Sequence, residues 1–220
     1  MEKVKVLFIG FMLVFCGSAW AESDLVKANK IINSFISGRV KLNSALAELY
    51  ICSRSGNIEC TAGEGALLYK NNRFSDAYPL LVKSQGIRKD VTGINDRAWS
   101  DRFLGEMFFS GAGIIQDYDK AIEHYKVCAI AGDKYCAKAV ALSYAQKEKL
   151  PVTSEKIAPF MAWLMVAQAM GEESIPVNGA NVNLRDLLSK YEDDSTIENF
   201  KKTKDEAHRI CSTIPKCNKQ

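Results

Sequence analysis

Residues 128–136 read CAIAGDKYC, and residues 52–60 read CSRSGNIEC. Both place cysteine, glycine and cysteine at the same spacing, so the chain repeats one structural unit. The frame recurs without sulfur: Val82 lies four residues before Gly86, and Ala167 four before Gly171. Glycine is the usual residue just past a helix C-terminus, because it adopts the left-handed conformation without a Cβ clash. Gly56, Gly86, Gly132 and Gly171 therefore read as helix stops at intervals of 30, 46 and 39 residues. Periods of that size belong to helical hairpins stacked as a solenoid.

Working outward, strand signals are nearly absent and the chain reads as almost wholly α. The first hairpin is expected to use residues 25–36 and 42–52, broken at Ser37-Gly38, with Leu42, Ala45, Leu46, Leu49 and Tyr50 forming one helical stripe. A second uses 59–70 and 75–85, turning at Asn71-Asn72, with Ser75 as N-cap and Pro79 tolerated near the first turn. A looser linker, 87–95, follows. The fourth keeps Ala137, Val140, Ala141 and Tyr144 on its first helix, 134–146, and ends Trp163-Leu164, Ala167, Ala169, Gly171. Segments 183–190 and 195–211 read as a charged helical cap, which a repeat array needs to cover its last apolar face.

Residues 1–21 carry Lys3 and Lys5, an apolar run from Val6 to Phe15, and Ala19-Trp20-Ala21 ahead of Glu22. This is the pattern of a cleaved secretory signal, and the run is well short of the roughly 20 residues that span a bilayer. The competing reading is a lipid anchor at Cys16, against which stands the bulky Phe15 just before it. Cleavage leaves six cysteines, Cys52, Cys60, Cys128, Cys136, Cys211 and Cys217, an even number that reads as three disulfides in an exported protein. No pair has a zinc-knuckle spacing, and neither His124 nor His208 lies among them. Formal charge is +3 for the whole chain, and residues 22–220 keep +2, too little for a nucleic-acid binder without a basic stripe.

The third hairpin carries the most specific signal. Leu104-Gly105, Met107-Phe108, Gly111, Gly113-Ile114, Asp117-Tyr118, Lys120-Ala121, Tyr125, Ala129 and Gly132 stand in one register. This set resembles the Sel-one-like repeat, a relative of the tetratricopeptide repeat. The resemblance covers 97–171 well, 25–86 weakly and the last 49 residues hardly at all. His124 stands where the family usually has an aromatic, and reads as a packed histidine at the repeat junction. The resemblance implies an all-α, right-handed α/α superhelix of about four hairpins, at about 25–56, 57–86, 94–132 and 133–171, with a cap at 182–217. Residues 22–220 would then form one domain. In the cysteine-rich, exported branch, each disulfide ties the second helix of one repeat to the first helix of the next. Carried over, this implies Cys52 with Cys60 and Cys128 with Cys136, which leaves Cys211 with Cys217.

Catalytic patterns are missing. The histidines lie in different hairpins without an adjacent nucleophile motif, and Ser100 and Ser110 read as surface or cap residues. Glu192-Asp193-Asp194 lacks the spaced-oxygen pattern of a calcium loop and reads as an N-terminal cap for the next helix. Neither cofactor nor metal is expected. Stacked hairpins instead present an extended face lined by their first helices. On it, Arg102, Glu106 and Phe109 of the third hairpin, with Glu64, Lys134 and Lys138 of its neighbours, are free of the repeat signature and are the candidate partner-binding residues. The resemblance implies a non-catalytic periplasmic binder of another exported protein, foremost an antagonist or immunity protein against a secreted effector such as a lipase. The alternatives are an envelope adaptor or host-facing virulence factor, secreted or lipid-anchored, and, more weakly, a β-lactam-binding or β-lactam-hydrolysing enzyme.

Overall fold

A computed structural model describes residues 24–85, 99–148, 154–177, 179–194, 196–214 and 217. The signal-like segment with Cys16, the linker 87–95 and Gly86 lie outside the described residues. Four hairpins follow one another: α1 Asp24–Ile36 with α2 Leu42–Arg54, α3 Ile58–Lys70 with α4 Phe74–Gln85, α5 Trp99–Ser110 with α6 Tyr118–Ile130, and α7 Lys134–Glu148 with α8 Ser154–Ala169. A two-stranded hairpin, β1 Ser174–Val177 and β2 Ala180–Asn183, leads to α9 Leu184–Asp194 and α10 Ile197–Ser212. Every helix of the hairpins packs on its partner and on the following helix, and α10 closes the array against α8. This is an α-solenoid with a helical cap. Helices α1, α3 and α5 also pack on one another in succession, whereas α2, α4 and α6 do not to that extent among the described residues. We call the side shared by α1, α3 and α5 the inner face.

The expected stops hold wherever they are described. Gly56, Gly132 and Gly171 have φ of 91°, 93° and 90°, and the residue after two of them caps the next helix. Asn57 accepts from the Cys60 N–H at 2.8 Å, and Asp133 from the Tyr135 N–H at 2.9 Å. One short segment thus ends a helix, starts another and sets the angle between hairpins. Within the third hairpin, a Cβ on Gly105 would stand 2.7 Å from the ring of Tyr125, itself 2% exposed, so only glycine lets α5 and α6 close.

The three disulfides join Cys52 to Cys60, Cys128 to Cys136 and Cys211 to Cys217, with Cα separations of 5.7, 5.7 and 5.1 Å. The first two clamp α2 to α3 and α6 to α7. Three such bonds fit an oxidising, exported environment. Among the described residues, no helix is long and apolar enough to cross a membrane.

Several details differ from the sequence reading. The β1–β2 hairpin interrupts the all-helical pattern: Ser174, Ile175, Pro176 and Val177 pair antiparallel with Asn183, Val182, Asn181 and Ala180, and Ile175 is fully buried. Its four-residue strands are too short for an alternation signal. Helix α4 starts at Phe74, with the Arg73 carbonyl accepting from the Asp76 and Ala77 N–H groups, so Ser75 lies inside the first turn and is not the cap. Pro79 is then its sixth residue, offering no N–H to the carbonyl of Ser75 four residues back, and Ser75 itself is exposed. Tyr50 lies off the buried stripe and is 51% exposed. Glu192, Asp193 and Asp194 form the last turn of α9 instead of capping α10, whose N-cap is Thr196, accepting from the Asn199 N–H at 3.3 Å.

Candidate binding site

Inner-face side chains of α3, α5 and α7 converge around Arg102. Its Nε lies 3.5 Å from Glu106 Oε1, one turn along α5, and its Nη1 donates to Asp133 Oδ2 at 3.3 Å. The guanidinium sits 4.1 Å from the centroid of the Tyr135 ring. Asp133 therefore does two jobs: one oxygen caps α7, and the other fixes the arginine of the preceding hairpin. Glu106, part-buried, faces two phenols. Tyr69 of α3 and Tyr135 of α7 are both raised above the ordinary tyrosine value, first by burial and then by the Glu106 carboxylate beside them. Tyr135 is pushed up to about 12. Aromatic packing extends the patch, with the Tyr69 ring 5.2 Å from Phe103 and 5.3 Å from Phe74.

Of the six residues singled out in the sequence, the structure brings three onto this patch of α5. Arg102, Glu106 and Phe109 share one face, but they are half-buried instead of standing free in solvent. Phe109 packs edge-on against Tyr118 at 5.7 Å, and its carbonyl accepts from Gln116 Nε2 at 2.7 Å. Lys134 and Lys138 lie on α7 but turn to a different acid: both pair with Glu172, and Lys134 also donates to the Gly171 carbonyl at 3.3 Å. Glu64 belongs elsewhere. It accepts from Ser53 Oγ of α2 at 3.1 Å, and burial raises its pKa. Tyr69, Asp133 and Tyr135 were missed. Asp133 had a signal, as the polar residue directly after a helix-stopping glycine, whereas Tyr69 is placed only by the packing of α3 on α5.

A second polar cluster lies beneath α5. Asp101, fully buried, accepts through Oδ1 from His124 Nδ1 at 3.1 Å and from Gln85 Nε2 at 3.2 Å, while Phe108 stacks on the imidazole at 5.4 Å. His124 is thus a packed junction histidine. Ser100, read as a surface residue, is fully buried and shares a 2.6 Å hydrogen bond with Ser84. It faces α4 because α5 turns its first polar residues inward against that helix. Among the described residues, no serine hydroxyl is hydrogen-bonded to a histidine. Cys128, Asp133 and Cys136 hold their ligand atoms within 4.8 Å, yet with both sulfurs in a disulfide the set offers a metal one carboxylate.

Among solved structures, the chain is similar to a protective antigen present in uropathogenic Escherichia coli strains that displays an SLR fold, with a TM-score of 0.59 and 13% identity. The match covers 80% of this chain and 34% of that one, so the chain spans about a third of that protein's length. The fold is that of Sel-one-like repeats. No family model and no curated protein matches the sequence.

Proposed function

We propose that this chain is a non-catalytic, exported protein-binding solenoid that acts as an antagonist of a secreted effector, an immunity protein against a lipase being the form expected. One observation carries the reading: Arg102 is held between Glu106, Asp133 and the Tyr135 ring on the inner face. Arginine and tyrosine are the residue types that dominate interface energetics, and a side chain ordered before binding loses little entropy on binding. Disulfides on either side of this patch keep its helices at fixed spacing. In the mature protein, the same geometry suits inhibition by occlusion, which needs a rigid surface and no nucleophile.

The experiment pairs the protein with the exported product of the adjacent reading frame. Co-expression is expected to abolish that product's toxicity, and Arg102→Ala to restore it while leaving the melting temperature nearly unchanged. Capture from periplasmic extract of housekeeping envelope proteins alone would favour an adaptor. Turnover of a β-lactam or lipid ester, removed by one substitution that spares the fold, would overturn the non-catalytic reading. A host-facing role is the second reading, supported by the description of the similar structure as a protective antigen.

A further inference from the structure

Helix α10 is pinned at its C-terminal end and open along one side. The Cys211–Cys217 disulfide ties its last turn to residue 217, whose sulfur lies 4.0 Å from the Val166 carbonyl of α8. Helix α9 packs on α10 through Tyr191, whose hydroxyl lies 3.0 Å from Thr203 Oγ1, and beside that contact a cleft of about 450 Å³ opens among α8, α9 and α10. That volume lies within the range of roughly 300–1,000 Å³ typical of small-molecule sites. Its apolar lining is Met165, Val166, Leu188, Phe200 and Ala207, with Gln168 and Ser189 as the uncharged polar side chains that also line it. Its rim is different: Arg185 of α9 with Lys204 and His208 of α10, the last two one turn apart.

These cations contrast with others on the same helix. Lys202 is neutralised by Glu198 at 2.7 Å and Arg209 by Glu206 at 2.6 Å. Among the described residues, the Arg185, Lys204 and His208 side chains make no ion pair or hydrogen bond, and Glu192 is the one acid that lines the cleft. An apolar floor with unpaired cations at the mouth matches a ligand with a hydrocarbon body and one anionic end. A peptide fits less well, because Gln168 and Ser189 offer few partners for the row of backbone N–H and C=O groups it would bring against an otherwise apolar lining. We propose that this cleft binds a small amphiphilic carboxylate of the fatty-acid class, with the acyl chain on Met165, Leu188 and Phe200 and the carboxylate at Arg185 and Lys204. The site is separate from the Arg102 face and does not depend on its function.

Calorimetric titration of the purified protein tests this, with dodecanoate as probe below its micelle concentration and dodecanol and an apolar peptide with a free C-terminus as controls. Dodecanoate is expected to saturate a single site, about tenfold or more tighter than dodecanol, because a charge-assisted contact is lost in the alcohol. The double variant Arg185→Gln, Lys204→Gln is expected to weaken dodecanoate by about tenfold, leave dodecanol unchanged, and melt as the parent does, since both residues are exposed. The proposal is overturned by the absence of saturable binding, by equal affinity for acid and alcohol, by an unaffected double variant, or by preference for the peptide.

Discussion

The solenoid joins its hairpins in two different ways. Between the first and second hairpins, and again between the third and fourth, a stop glycine, a capping Asn57 or Asp133 and a disulfide fill a nine-residue window. Between the second and third, apolar packing of Ala77 and Leu81 with Leu104 and Met107 is joined by polar contacts: Ser84 with Ser100, and Gln85 and His124 converging on the buried Asp101. Covalent junctions restrict the unfolded chain and are indifferent to protonation. A buried polar junction stabilises the folded state only while every group keeps its partner, because an orphaned donor or acceptor costs its full desolvation. The middle of the array should therefore respond to substitution of its polar groups, and its flanks to reduction.

Alkali should give the largest separation. Burial raises Tyr69 of α3, Tyr125 of α6 and Tyr135 of α7, all packed against α5, above the ordinary value of 10.0, with Tyr135 at about 12. Folded-state values above the unfolded one mean that this stability is complete below pH 10 and is lost as pH rises toward 12. Urea midpoints recorded across that range should fall steeply, with amides of α5 and α6 exchanging before those of α2. A flat profile would remove the titratable middle from the account.

Asp101→Ala comes next. It removes the fully buried carboxylate that the part-buried His124 and Gln85 share, and should cost about 3 kcal/mol in chemical denaturation. A neutral result would mean that the junction is held by its apolar contacts alone. Replacing Cys128 and Cys136 together by serine should cost about 2.5 kcal/mol from the chain-entropy relation for so short a loop. The same change at Cys52 and Cys60 should cost a similar amount, and neither should alter exchange at the α4–α5 junction. The smallest effect is Arg102→Ala, below about 1 kcal/mol in stability because its ion pairs are partly solvated.

Legibility from sequence follows the same division. The covalent junctions were readable because their chemistry is local: glycine, cap and cysteines lie within nine residues, and the family resemblance supplied the pairing. The polar junction was not, because Asp101 and His124 are 23 residues apart and meet only through the register of α5 against α6. Ser100 looked like a surface serine for that reason. The inner face was half legible. Arg102 and Glu106 stand one turn apart in the sequence, whereas Tyr69, Asp133 and Tyr135 reach them from neighbouring hairpins. Glu64, placed by analogy of position, falls on the α2 side of α3 because the helix is rotated to bury Gly63 against Ile32 and Leu49. The cap cleft had no sequence signal, since its floor and rim come from three helices.

The central claim is that the inner face, not the outer one, engages a protein partner. A photo-crosslinking amino acid placed at Phe109 of α5, and separately at Ile51 on the outside of α2, which is 69% exposed, tests it in periplasmic extract and in culture supernatant. Crosslinking to one exported protein from position 109, lost on Arg102→Glu, with none from position 51, is the result predicted. Crosslinking from position 51 alone, or from 109 regardless of the charge at Arg102, would contradict it.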